Sequence, residues 1–142
     1  MSTEENIAVV RRWLEEIGNA GKLEVVDEVY APTFVDHAAM PDQLPGPEGV
    51  KQFIRMIKVV FPDWHYTIED VIVDGDKVVA RVTMRGTHQG TWFGVPPTGK
   101  QVITTAIQIH RIAEGKIQET WANADILSMM YQLGVSTLPS MG

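Results

Sequence analysis

The chain of 142 residues contains no cysteine. That removes disulfides, thiolate metal sites and cysteine nucleophiles together. Basic residues are scarce as well: twelve Lys and Arg stand against eighteen Asp and Glu, a formal charge of −6, and no basic run occurs. Nucleic acids and anionic membrane surfaces normally require a basic stripe, so neither is expected as a partner. Long apolar runs are missing too, and none approaches the roughly 20 residues of a membrane helix. The opening Met1-Ser2-Thr3-Glu4-Glu5 is polar and acidic, unlike a secretory signal, and a cytoplasmic protein is expected. His37, His65, His88 and His110 are scattered, with no His-x-x-x-His pair, so no metal site is expected. The serines Ser2, Ser128, Ser136 and Ser140 lie near termini or helix ends and suggest no nucleophilic triad.

What is present suits a globular protein. Hydrophobic residues make up 44% and charged residues 21%, and the length suffices to bury a core as one domain over 1–142. Ser2 with Glu5 three residues later predicts a capping box. Ile7, Val10, Leu14 and Ile17 recur at helical spacing, with Gly18 as the expected stop. A short helix is expected over 23–30, ended by Pro32, and a short strand over 33–37. Beyond a proline-rich loop, Pro47 opens a third helix, where its missing N–H is harmless; Val50, Phe53, Ile54, Ile57 and Val60 form the apolar stripe.

From Trp64 the period falls from 3.6 to 2. Strands are predicted over 64–73 and 77–88 around Asp74-Gly75-Asp76, and over 101–113 and 116–124 around Glu114-Gly115. Between the pairs lies a turn-rich loop, Gly90 to Gly99, that carries Trp92 and Phe93. Asp125 begins a last helix through Leu133. Helices first and strands last indicate an α+β fold rather than a parallel sheet. Three helices across one face of a curved sheet leave a cone-shaped pocket suited to a small apolar molecule.

Several segments carry a family likeness. They are Phe61-Pro62-Asp63, Gly86-Thr87-His88-Gln89-Gly90 and Gly94-Val95-Pro96-Pro97-Thr98-Gly99-Lys100, then Glu114-Gly115-Lys116-Ile117, Trp121 with Asp125, and Gln132-Leu133-Gly134. In this order they resemble the SnoaL-like polyketide cyclases of the nuclear-transport-factor-2-like superfamily. The resemblance implies a cystatin-like α+β roll, three N-terminal helices packed on a curved, mostly antiparallel sheet, and a homodimer formed through the sheet's outer face. It implies intramolecular aldol ring closure of a carbonyl-rich substrate without metal or organic cofactor. In such cyclases an acidic residue is the general acid/base, and a histidine and a glutamine help hold the enolate. The superfamily also contains isomerases, dehydratases, hydroxylation-related members and plain binders, so isomerisation stands beside cyclisation, and a carrier of a hydrophobic metabolite or a cofactor-free hydroxylation-related protein is the alternative.

The family's acid follows a His-Trp pair on the last strand, and the matching triplet here is Thr120-Trp121-Ala122. Alanine stands where the acid belongs. Asp125, the nearest acid, is either a general base or the N-cap of the last helix. His88 either donates to a ligand carbonyl or fastens the Gly90–Gly99 loop. Asp36 and His37 are strand neighbours, so at most one looks inward, and His37 is the one expected there. Trp92, Phe93 and Trp121 offer apolar walls, and Gln108 and Asn123 offer neutral donors and acceptors to a substrate. His110, near a hairpin end, is expected at the surface.

Which residues share a face depends on the turn at 113–115. A three-residue turn sets Gln108 opposite Thr120 and Ala106 opposite Ala122. It gathers them with Thr104, His110 and Ala124, and leaves Ile103, Ile107, Ile109 and Trp121 on the other side. A two-residue turn sets Gln108 opposite Trp121 and Thr104 opposite Asp125. Met129, Met130 and Met141 with Leu133 and Leu138 make a sticky C-terminus expected to pack over the mouth of the cone.

Overall fold

A computed structural model of the chain describes residues 2–135. Its first helix, α1 (Thr3–Arg12), opens on the capping box: Ser2 Oγ accepts the Glu5 N–H at 3.1 Å, and Glu5 Oε1 accepts the Ser2 N–H at 3.4 Å. Gly18 does not stop the helix. The chain continues through a wider π-helical stretch, Trp13–Asn19, as far as Gly21, whose φ of 70° suits glycine. Gly18 serves close packing instead, since a Cβ there would lie 2.8 Å from the Tyr66 ring. Asn19 fixes Tyr66 further, donating to its carbonyl at 3.0 Å and accepting its N–H at 2.7 Å.

The second helical segment is shorter than the sequence suggests, a 3-10 turn (Leu23–Val25) and α2 (Val26–Val29), because β1 (Tyr30–Asp36) already begins at Tyr30. Pro32 is tolerated within β1 because that strand lies at the sheet edge. Helix α3 (Pro47–Val60) starts at the expected proline and buries Val50, Ile54, Ile57 and Val60. There follow β2 (His65–Asp74), β3 (Lys77–Thr87), β4 (Gln101–Ala113), β5 (Lys116–Ala124) and α4 (Ile126–Gln132). The strand order is β1-β5-β4-β3-β2, antiparallel except for the β1–β5 pair. This is the α+β roll, with helices packed on one face of an open curved sheet.

The β4–β5 hairpin decides which side chains face the helices. Its turn is the two-residue kind: Ala113 pairs with Lys116, and Glu114 (φ 54°) and Gly115 (φ 76°) are both left-handed. A bulge at Gln118 then adds one residue, so Arg111 pairs with Glu119 and Ile112 with Ile117. Beyond it His110 faces Thr120, Gln108 faces Ala122 and Ala106 faces Ala124. These pairs differ from both alternatives drawn from the sequence. The grouping by face is nonetheless that of the three-residue turn, because the bulge restores the parity that the shorter turn removes.

Leu14, Ile17, Ile54, Phe61, Val82 and Ile117 lie at the heart of the core between helices and sheet. Full burial of each such side chain stabilises by about 1.5–3 kcal/mol. Met129 and Leu133 are buried as well, while Leu138 and Met141 lie outside the described residues. No helix among the described residues is long and apolar enough to cross a membrane.

Candidate functional site

Between the helices and the inner face of the sheet lies a cavity of about 390 Å³. That is within the range of small-molecule sites. Phe34, Val50, Phe53, Ile57, Trp64 and Met84 supply apolar wall, and Met40, Trp92 and Phe93 border the cavity beside the 38–46 loop. Phe93 and Gly94 form the two left-handed positions (φ 46° and 78°) of a tight turn closed by the Trp92–Val95 pair, which leaves Phe93 54% exposed.

The polar groups of the cavity are few, and those on β4 and β5 are linked. Thr120 Oγ1 lies 2.7 Å from His110 Nδ1, and His110 Nε2 lies 2.9 Å from Gln108 Oε1. Trp13 Nε1, at the start of the π-helical stretch, donates to the same Oε1 at 3.0 Å. An indole N–H can only donate, which identifies that atom of Gln108 as the oxygen. His110 therefore donates from Nε2, and its Nδ1 accepts the Thr120 hydroxyl proton. Gln108 Nε2, by contrast, has no hydrogen-bond partner among the described residues, and the side chain borders the cavity, where those N–H groups are free to donate.

Burial drives the His110 pKa down to about 3. The ring is neutral at ordinary pH and acts as a positioner, not a base. Below the unfolded value of 6.5 the unfolded chain binds a proton that the folded ring refuses, so stability falls as pH drops from 6.5 towards 3. The slope reaches about 1.4 kcal/mol per pH unit. Hydrogen bonds hold Glu16, Asp63 and Glu119 below their ordinary carboxylate values, so their contributions are lost only at lower pH. Urea melts between pH 6.5 and 5 are expected to show the decline in the wild type and a flattened slope in His110→Gln. Tyr66 is pushed up to about 12 by burial, and Tyr30 is held well above its usual value by burial, then by Asp36 and Tyr66. Both phenols remain protonated donors.

Of the residues singled out in the sequence, Trp92, Phe93 and Gln108 border the cavity. The other five are placed elsewhere. His37, Trp121 and Asn123 lie on the outer face of the sheet: the His37 ring stacks on Trp121 (4.8 Å between centroids, 9° between planes), and Asn123 pairs with the outward Ile107. His37 Nε2 also meets Glu119 Oε2 at 2.7 Å. Strand alternation turns Asp36 inward instead of His37. His88 is buried outside the cavity wall. Its Nδ1 accepts the Thr98 N–H at 3.2 Å, which fastens the Gly90–Gly99 loop, and its Nε2 is buried without a partner.

Asp125 is exposed and caps α4, with Oδ1 accepting the Ser128 N–H at 3.0 Å. Asp125→Ala is therefore expected to lower stability by about 0.5–2 kcal/mol without slowing catalysis. Asp125→Asn, which caps equally well, is expected to change neither melting nor turnover. His110, expected at the surface, is instead 1% exposed and borders the cavity, as does Asp36 in place of His37; Trp13, Tyr30 and Tyr66 line it as well, none of them assigned from the sequence. For His110 a signal existed: it follows Gln108 by two residues and so shares its face.

Among the described residues no three His, Asp or Glu side chains converge as metal ligands would. The model of the SnoaL-like polyketide cyclases matches residues 8–133. The chain belongs to the SnoaL-like polyketide cyclase family. This SnoaL-like protein is 31% identical over 137 residues to the aklanonic acid methyl ester cyclase DnrD of Streptomyces peucetius, spanning 94% of this chain and 92% of that one. It is 27% identical over 119 residues to the nogalonic acid methyl ester cyclase of Streptomyces nogalater, spanning 82% and 88%. Among solved structures, TsrD from Streptomyces laurentii matches with a TM-score of 0.88 at 27% identity, over 96% of this chain and 99% of that one. Within the SnoaL-like frame, Ala122 presents only a methyl group to the cavity.

Proposed function

We propose that the chain performs cofactor-independent acid/base chemistry, an intramolecular aldol-type ring closure, on a small, apolar, carbonyl-rich molecule held in the cavity. The observation that carries this reading is the state of Gln108. Two donors fill its oxygen, which aims the free amide N–H groups into a mostly apolar cavity where an enolate oxygen would gain most from them. The buried phenols of Tyr30 and Tyr66 add donors that stay protonated. The kinship to methyl ester cyclases supports a carboxylic acid methyl ester as substrate.

The alternative is a carrier that binds such a molecule without changing it, and Ala122 in the place of the family's acid favours it. Incubation with aklanonic and nogalonic acid methyl esters decides between them. Ring closure, which leaves the mass unchanged and is followed by chromatographic separation and absorbance, supports the enzyme; tight binding without closure supports the carrier; neither discards both. We also propose a homodimer through the outer sheet face, in a cytoplasmic setting. Ile103 (60% exposed) and Ile107 (52%) support it beside Trp121, and sedimentation at twice the chain mass is the expected result.

A further inference from the structure

We propose that Asp36 is the proton acceptor of this cavity, supplying from β1 the carboxylate that the family pattern places on β5. The inference rests on the cyclase reading above. Asp36 is the only carboxylate among the described residues that borders the cavity. Strand pairing explains how it reaches the site. Asp36 pairs with Thr120 of β5, and Thr120 pairs with His110 of β4, so the three form one inward-facing row across the sheet. Ala122 lies two residues beyond Thr120 on the same face. The carboxylate is thus displaced from the Ala122 position by one strand spacing across the sheet, about 4.8 Å, and two residues along it, about 7 Å, with the Ala122 methyl leaving the space between open.

Its orientation is set at both oxygens. Oδ1 accepts the Ala38 N–H at 2.9 Å and Oδ2 accepts Gln43 Nε2 at 3.0 Å. A carboxylate has about four lone-pair sites, so each oxygen keeps one for a substrate. The Tyr30 phenol, which also borders the cavity, is kept protonated by burial first and by the charge of Asp36 second.

In the reaction, Asp36 takes a proton from a carbon flanked by two carbonyls. The C–H electron pair passes into the enolate, whose oxygen accepts from the Gln108 amide. The enolate carbon adds to a further carbonyl of the same molecule, a C–C bond forms as that C=O π bond breaks, and the new alkoxide recovers the proton from the Asp36 carboxylic acid. No atom is gained or lost, so no co-reactant is needed.

A purely structural Asp36 would only tie down the 38–46 loop through Ala38 and Gln43. The two roles separate in Asp36→Asn and Asp36→Ser, which both keep an acceptor for the Ala38 N–H but no carboxylate. The measurement is deuterium exchange at the activated carbon of aklanonic acid methyl ester in D2O, above the buffer rate. Melting and ligand quenching of tryptophan fluorescence are recorded on the same samples. Exchange is expected to fall by about 10²–10⁴-fold in both folded variants while affinity holds. Wild-type exchange in either folded variant overturns the role of Asp36 and leaves the cyclase reading standing. A wild type that binds the ester yet exchanges nothing overturns the cyclase reading and this inference with it.

Discussion

Gln108→Leu is expected to slow ring closure by about 10²–10³-fold and to destabilise the fold at the same time. The two effects have separate causes. Leucine removes the amide N–H groups that face the cavity, and with them the donors for a developing enolate oxygen. It also removes the oxygen that accepts from Trp13 at 3.0 Å and from His110 at 2.9 Å. Trp13 is 6% and His110 1% exposed, so both orphaned donors stay out of water. Each such loss costs about 1–3 kcal/mol, a large part of the 5–15 kcal/mol that typically holds a domain together. Turnover measured under saturating ester, with urea melts on the same preparation, reads the two effects independently. Loss of stability with turnover intact would show that Gln108 is a structural amide and that the enolate is held elsewhere. Trp13→Phe makes the milder comparison, because it leaves the His110 bond and the amide in place.

How much of this site the sequence could reveal depended on whether a feature was local. The capping box of Ser2 and Glu5, the α3 start at Pro47 and the cap at Asp125 are short-range hydrogen-bond patterns, and each forms where its residues foretell. The period of 2 after Trp64 likewise marks β2 to β5. Gly18 misled because its reason for being glycine lies in the ring of Tyr66, far along the chain. The hairpin shows a subtler limit: no composition signal marks the bulge at Gln118, yet that single extra residue decides whether Thr120 and Ala122 or Trp121 and Asn123 share the cavity face with Gln108 and His110. The choice between Asp36 and His37 was lost for the same reason. It is settled by the pairing of an edge strand with β5, and each residue has a polar partner where it lies, Gln43 for Asp36 and Glu119 for His37.

Phe61→Ala is expected to cost about 3–5 kcal/mol, the usual range for removing a phenylalanine from a closed core. Phe61 is fully buried and holds three rings together: Trp64 at 5.1 Å, His88 at 5.7 Å and Trp92 at 5.7 Å between centroids. Gly86 lies so close beneath it that a Cβ there would meet the Phe61 Cβ at 2.9 Å, so the sheet has little room to collapse into the void. The functional consequence follows from Trp92. The start of its loop stays anchored, because Gln89 and Gly90 both donate to the Val60 carbonyl. The Trp92 ring loses its edge-on support and no longer holds the cavity wall. Ester affinity is therefore expected to fall about tenfold, equivalent to about 1.4 kcal/mol, even at temperatures where the variant remains folded. Phe61→Leu, which keeps most of the volume, should restore the wall before it restores full stability. A Phe61→Ala protein with lowered melting but unaltered affinity would mean that Trp92 is positioned by its own loop and not by the core beneath it.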